Sequence, residues 1–206
     1  TNGGLRRCSI IKQPFYLNDN EIKWVEDTYE GMSLEEKLGQ LFCPIVFTKD
    51  EKELKERAGE HIGGMLYREG PGEELRQAHK VLQDAAKIPL LTASNLEYGG
   101  NGSAIEGTYF GLDARSSYTG YRESLSACKV SCSEGAAVGV NWSFAPVVDL
   151  DQNYHNPITN VRTFGNDQQT VINMGKAYIK AAQEEGVATS VKHFPGDGVD
   201  DVTSIF

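Results

Sequence analysis

The sequence predicts an α/β protein built on a parallel sheet, and three observations carry that reading. Short apolar runs alternate with helical stretches, each run is apolar at successive positions as in strands covered on both faces, and no linker, low-complexity tract or internal repeat divides the chain. Ile22, Val25 and Tyr29 mark a first amphipathic helix. Ser33-Leu34-Glu35-Glu36 is a capping box that opens a second, with Leu34, Leu38 and Leu41 on one face. The first strand follows over residues 42–47, then a solvated, charge-rich helix over 50–60 and a second strand over 62–67. Leu75, His79, Leu82 and Ala86 give the next helix its apolar stripe, on which His79 reads as a packed histidine. The third, fourth and fifth strands are expected over 88–93, 138–148 and 187–194, separated by helices over 120–137 and 167–185.

Composition sets limits on function. With 206 residues, 39% of them hydrophobic, the chain can bury a core of its own, in one or two domains. A net charge of −9 and a pI near 5.0 argue against nucleic acid or an anionic membrane as the main partner. No apolar run approaches the roughly 20 residues that spanning a bilayer needs, and residues 1–7 lead into no signal-peptide core, so a cytoplasmic location is expected. Cys8, Cys43, Cys128 and Cys132 lack metal-ribbon spacing and read as reduced thiols. The sequons at Asn101 and Asn141 carry no weight without a secretory signal.

Several sharper patterns fail on inspection, so neither a metal nor a cofactor is expected. Asp149-Leu150-Asp151-Gln152-Asn153 imitates the start of a calcium loop, but the sixth position is Tyr154 and the twelfth Asn160, where glycine and glutamate belong. His155 with Asp149 and Asp151 fits no common metal-ligand spacing, and a loop hydrogen bond accounts for it better. Gly100-Asn101-Gly102 lacks the third glycine of a dinucleotide fingerprint. Tyr109, Phe110, Tyr118 and Tyr121 fit a ligand-stacking cleft and the packing of a long loop equally well.

Two longer motifs are more specific. Lys192-His193-Phe194-Pro195-Gly196-Asp197-Gly198 puts a cation and an imidazole at the end of the fifth apolar run, in a turn stiffened by proline, where direction is fixed on folding. The second runs from Asn141 to Asp149 and continues through Asn156-Pro157, Arg162 and Phe164-Gly165. Together they resemble the N-terminal catalytic domain of glycoside hydrolase family 3, most of all its β-N-acetylglucosaminidase branch, over residues 32–199.

That resemblance implies a (β/α)8 TIM-type barrel, of which residues 1–206 are expected to supply about five of the eight strands, since such barrels take about 250 residues. It implies hydrolysis of a terminal β-linked sugar with retention, N-acetylglucosamine first and glucose as runner-up, by a carboxylate nucleophile and a proton donor. The family's nucleophilic Asp lies on a later strand. Its proton-donor His follows the Lys-His-Phe-Pro-Gly motif in an Asp-x-His element, and here Asp200-Asp201-Val202-Thr203-Ser204-Ile205 has no such His. Asp201 would be the edge of that loop, and a non-catalytic sugar-binding protein is the reading from another class. Lys192 and His193 correspond to donors to sugar hydroxyls, and Arg162 to the family's Arg-x-Phe-Gly arginine. From the residues alone, Arg162 pairs with Asp149 or Asp151 as a loop fastener. Asn95-Leu96-Glu97-Tyr98-Gly99-Gly100 stands where the family has Asp-x-Glu-Gly-Gly, with Asn95 replacing the sugar-gripping Asp and Tyr98 inserted. An open sheet would also leave edges through which chains associate.

Overall fold

The computed structural model describes residues 15–111 and 121–201. Cys8, Tyr118, the side chain of Tyr121 and residues 202–206 lie outside that description. Five parallel strands form one open sheet in chain order: β1 (Ile45–Val46), β2 (Gly64–Tyr67), β3 (Leu91–Ser94), β4 (Trp142–Ser143) and β5 (Ala188–Thr189). Around them run helices α1 (Asp19–Gly31), α2 (Leu34–Gly39), α3 (Glu51–Ala58), α4 (Gly72–Ala85), α5 (Tyr121–Ala137) and α6 (Gln168–Glu184). No helix among the described residues is long and apolar enough to cross a membrane.

The helix starts follow from local chemistry. Ser33 accepts from Glu36 N while the Glu36 carboxylate accepts from Ser33 N, the reciprocal box expected from the sequence; Asn18 and Glu21 do the same for α1. Asp50 and Asp167 cap α3 and α6 through Glu53 N and Thr170 N. The Glu36 carboxylate, held by Lys87 and by Ser33 N, titrates at about 2. One core joins β1, β2, α3 and α4 through Val46, Leu54, Met65, Tyr67, Leu75 and Leu82. A second joins α5 and α6 through Cys132, Tyr178, Ala181 and Val187. His79 is the packed histidine expected: it is buried, its Nδ1 lies 2.7 Å from Val138 O, and its ring stands edge-on to Tyr67 at 5.2 Å. Burial pushes the Cys132 thiol up to about 11 and also raises Cys43. None of Cys43, Cys128 and Cys132 is in a disulfide.

Three expectations are corrected. The ladders are shorter than the apolar runs, most clearly for β4, because Pro146 offers no N–H; pairing resumes at Val147 opposite Lys192, with Lys192 N donating to Pro146 O at 3.0 Å. The leucine face of α2 is not buried. Leu34, Leu38 and Leu41 are exposed, since this six-residue helix docks through polar contacts, with Gln40 Nε2 on His61 O and Glu36 on Lys87. Phe42, Ile45 and Phe47 are exposed as well, so β1 is not covered on both faces among the described residues.

An edge strand with bare backbone and an adjoining apolar patch favours pairing with another chain. The 206-residue polypeptide on its own is expected to scatter light as an oligomer. A monodisperse monomer of 22.6 kDa would show that these edges do not associate.

Candidate functional site

The polar residues singled out by sequence gather at the C-terminal ends of β3, β4 and β5, the end at which parallel α/β folds place their sites. Asn95 directly follows β3, and Glu97 lies two residues further. Lys192 follows β5 and is fixed by the Val147 bridge. Arg162 sits on a single 3₁₀ turn, Asn160–Arg162, where its Nη1 donates to Ile158 O at 2.9 Å.

These segments meet on Glu97. Arg162 donates to its two oxygens in a fork, Nε at 3.0 Å and Nη2 at 2.8 Å, and Lys192 Nζ forms a close ion pair with Oε1 while also donating to Asn95 Oδ1 at 3.2 Å. The Glu97 side chain is only 5% exposed. Burial by itself would raise its carboxyl, but the Arg162 hydrogen bonds and the Lys192 charge outweigh that and hold it at about 2. The same contacts push Arg162 further up, with Glu97 as the main cause. Arg162 therefore fastens onto Glu97, not onto Asp149 or Asp151 as the loop-fastener reading expected. The forked geometry of guanidinium on carboxylate leaves the small ammonium of Lys192 to share the same acid from another side.

Asp149 has a different partner. Its side chain, 1% exposed, accepts from His193 N at 3.0 Å and meets His193 Nδ1 at 2.7 Å through Oδ2, while Oδ1 accepts from Asp197 N at 2.8 Å. The imidazole at Asp149 is thus His193 and not His155, whose backbone N donates to Asn153 and whose ring lies on Tyr154 at 3.9 Å. The buried Asn156 clamps the same turn from below: its amide donates to Asp197 O, and its Oδ1 accepts from Ile158 N and Thr159 N, each at 2.8 Å. Gly198 closes the turn. A Cβ there would fall 1.8 Å from Leu150 O, so no other residue lets the two loops approach so closely.

The structure thus brings Lys192 and Arg162 onto one carboxylate, with Asn95 accepting from Lys192, and places His193 next to Lys192 in the chain, on Asp149. Asp201 stands apart, exposed and bonded to the Asn153 amide. The Asp197 carboxyl is raised by partial burial and by Asp200 beside it. Tyr109 stands edge-on to Tyr98 at 6.5 Å, and Phe110 N donates to Tyr98 O at 2.8 Å, which ties both aromatic residues to the packing of their own loop. Sequence reasoning missed Glu97 as the common acceptor and Asp149 as the clamp on His193. The signal for Glu97 was present as an acid two residues beyond Asn95, in a motif whose role had been given to Asn95. A groove of about 620 Å³ between α6 and residues 195–199 adjoins the same turn, lined by aliphatic side chains such as Leu150, Val171, Ile172 and Ile179 together with Asp149, Gln152, Gln168 and Lys176.

The sequence profile of the glycosyl hydrolase family 3 N-terminal domain matches residues 33–205. The chain belongs to glycosyl hydrolase family 3. It is similar to a Beta-N-acetylglucosaminidase/beta-glucosidase of Cellulomonas fimi, 44% identical over 194 residues, which cover 93% of this chain and 34% of that protein. Among solved structures it is similar to a beta-glucoside phosphorylase, with 38% identity, a TM-score of 0.87 and coverage of 96% of this chain and 36% of that one. A family 3 beta-N-acetylglucosaminidase from Paenibacillus sp. str. FPU-7 superimposes with 28% identity and a TM-score of 0.73, covering 82% of this chain and 34% of that one. The chain spans about a third of the length of these relatives. The fold is accordingly α/β of the TIM-barrel type, and the described residues of this family 3 domain supply five consecutive parallel strands.

Proposed function

We propose that the protein carrying this chain cleaves a terminal β-linked sugar, N-acetylglucosamine in preference, and that Lys192, His193, Arg162 and Asn95 hold that sugar. The observation that carries this reading is the convergence of the Lys192 ammonium and the Arg162 guanidinium on the buried Glu97, with the Asn95 side chain accepting from Lys192, at the strand ends of a family 3 domain. Fixed donors of this kind match hydroxyl oxygens, and their geometry is set before a ligand arrives. A preference for glucose is the second reading. It is favoured by the beta-glucosidase and beta-glucoside phosphorylase named among the relatives.

The test is release of nitrophenol from β-N-acetylglucosaminide and β-glucoside by the whole protein, with water alone and with added phosphate as acceptor. Faster release from the N-acetylglucosaminide supports the first reading, and the reverse order supports the second. Sugar binding without release would establish a binding protein. Asn95→Asp places a second carboxylate beside Lys192 and is expected to change the ratio of kcat/KM between the two substrates by about tenfold, at the low end of what one altered polar contact does. An unmoved ratio with a shifted Tm would make Asn95 a structural residue.

A further inference from the structure

We propose that Asp149 is a positioning residue for His193: its buried carboxylate accepts a hydrogen bond from Nδ1–H and keeps the proton on that nitrogen, so that Nε2 is the ring atom left for the substrate. This rests on the reading of His193 as a sugar-holding residue. Three donors converge on Asp149, namely His193 N, His193 Nδ1 and Asp197 N, and an ionised carboxylate is the one side chain of that size able to accept all three. With Nδ1 donating, Nε2 carries a lone pair in the neutral ring and has no protein partner among the described residues, on an imidazole about a third exposed. It accepts a hydroxyl hydrogen when neutral and donates to a sugar oxygen when protonated. The charges around the ring are mixed: Asp149 in contact, Asp197 with Asp200 on its own turn, Lys192 preceding it, and Arg162 within electrostatic reach of Asp149. Asp149 also holds the turn from Lys192 to Gly198 against the loop after β4, so ring and turn are oriented by a single acid.

Long-range proton–nitrogen spectra of the whole protein read the tautomer directly, and loss of one signal set in His193→Gln assigns it. Free imidazole side chains favour the proton on Nε2, so a neutral His193 with its proton on Nδ1 is the expected result and the opposite tautomer overturns the proposal. Asp149→Asn keeps an acceptor for Nδ1 and is expected to retain that tautomer. Asp149→Ala is expected to lose it and, in the whole protein, to lower kcat/KM by about 10- to 100-fold, the order that a misplaced group costs. An Asp149→Ala chain that keeps the Nδ1 proton also overturns it. The expected tautomer in a protein that cleaves no β-glycoside supports the role of Asp149 and defeats the proposed function instead.

Discussion

Lys192→Ala in the whole protein is expected to lower kcat/KM for its preferred β-glycoside by the equivalent of about 2–4 kcal/mol, the range for loss of a buried donor that a sugar and the transition state both use. The reason lies in its two partners. Lys192 is held by Glu97 and Asn95 at once, so its ammonium meets a ligand with little rotamer entropy left to lose. Arg162 still neutralises Glu97 in the variant, and the fold is expected to survive, with Tm close to the parent's. Steady-state kinetics on nitrophenyl glycosides checks this, and activity within twofold of the parent would remove Lys192 from the site.

Glu97→Gln is expected to cost more in stability than any other single change at the site. It leaves a guanidinium and an ammonium facing each other across a neutral amide, and breaking a buried ionic cluster by removing one charge costs about 3 kcal/mol or more. The pH dependence has a definite sign. The carboxyl falls from an ordinary 4.5 to about 2 on folding, so its contribution is complete above pH 4.5 and is lost as pH falls towards 2. At about 1.4 kcal/mol per unit, the loss across that window is on the order of 3 kcal/mol. Thermal unfolding at pH 7 and pH 3 should show the parent losing stability more steeply than Glu97→Gln. Parallel pH profiles for the two proteins would place the charge balance elsewhere.

The order and direction of the elements were legible because each carries its own local signal. The capping box at Ser33 and the stripe of Leu75, His79 and Leu82 need nothing beyond neighbouring residues to be read, and both stand as expected. What local pattern cannot report is where a surface finds its partner. Leu34, Leu38 and Leu41 have the spacing of a buried face, yet burial depends on what lies across from it, and α2 is fastened by Gln40 and Glu36 instead. The site shows the same division. Lys192, His193, Arg162 and Asn95 could be named from their motifs, whereas which acid each would meet depended on loop closure. Arg162 had Asp149 and Asp151 within a short stretch of chain and went to Glu97, because the 3₁₀ turn at Asn160–Arg162 carries its guanidinium to the end of β3.

Arg162 lies 65 residues from Glu97, and Lys192 lies 97 residues from Asn95. During synthesis these groups emerge in the order acid, guanidinium, ammonium, and closing such loops is slow compared with forming a helix. A nascent chain that has produced β3 and β4 but not β5 already holds the Glu97 carboxylate without the ammonium that shares it. A chain cut between Arg162 and Lys192 therefore keeps the fork of Arg162 on Glu97 without the ammonium that shares Oε1, and a chain cut before Arg162 keeps neither cation.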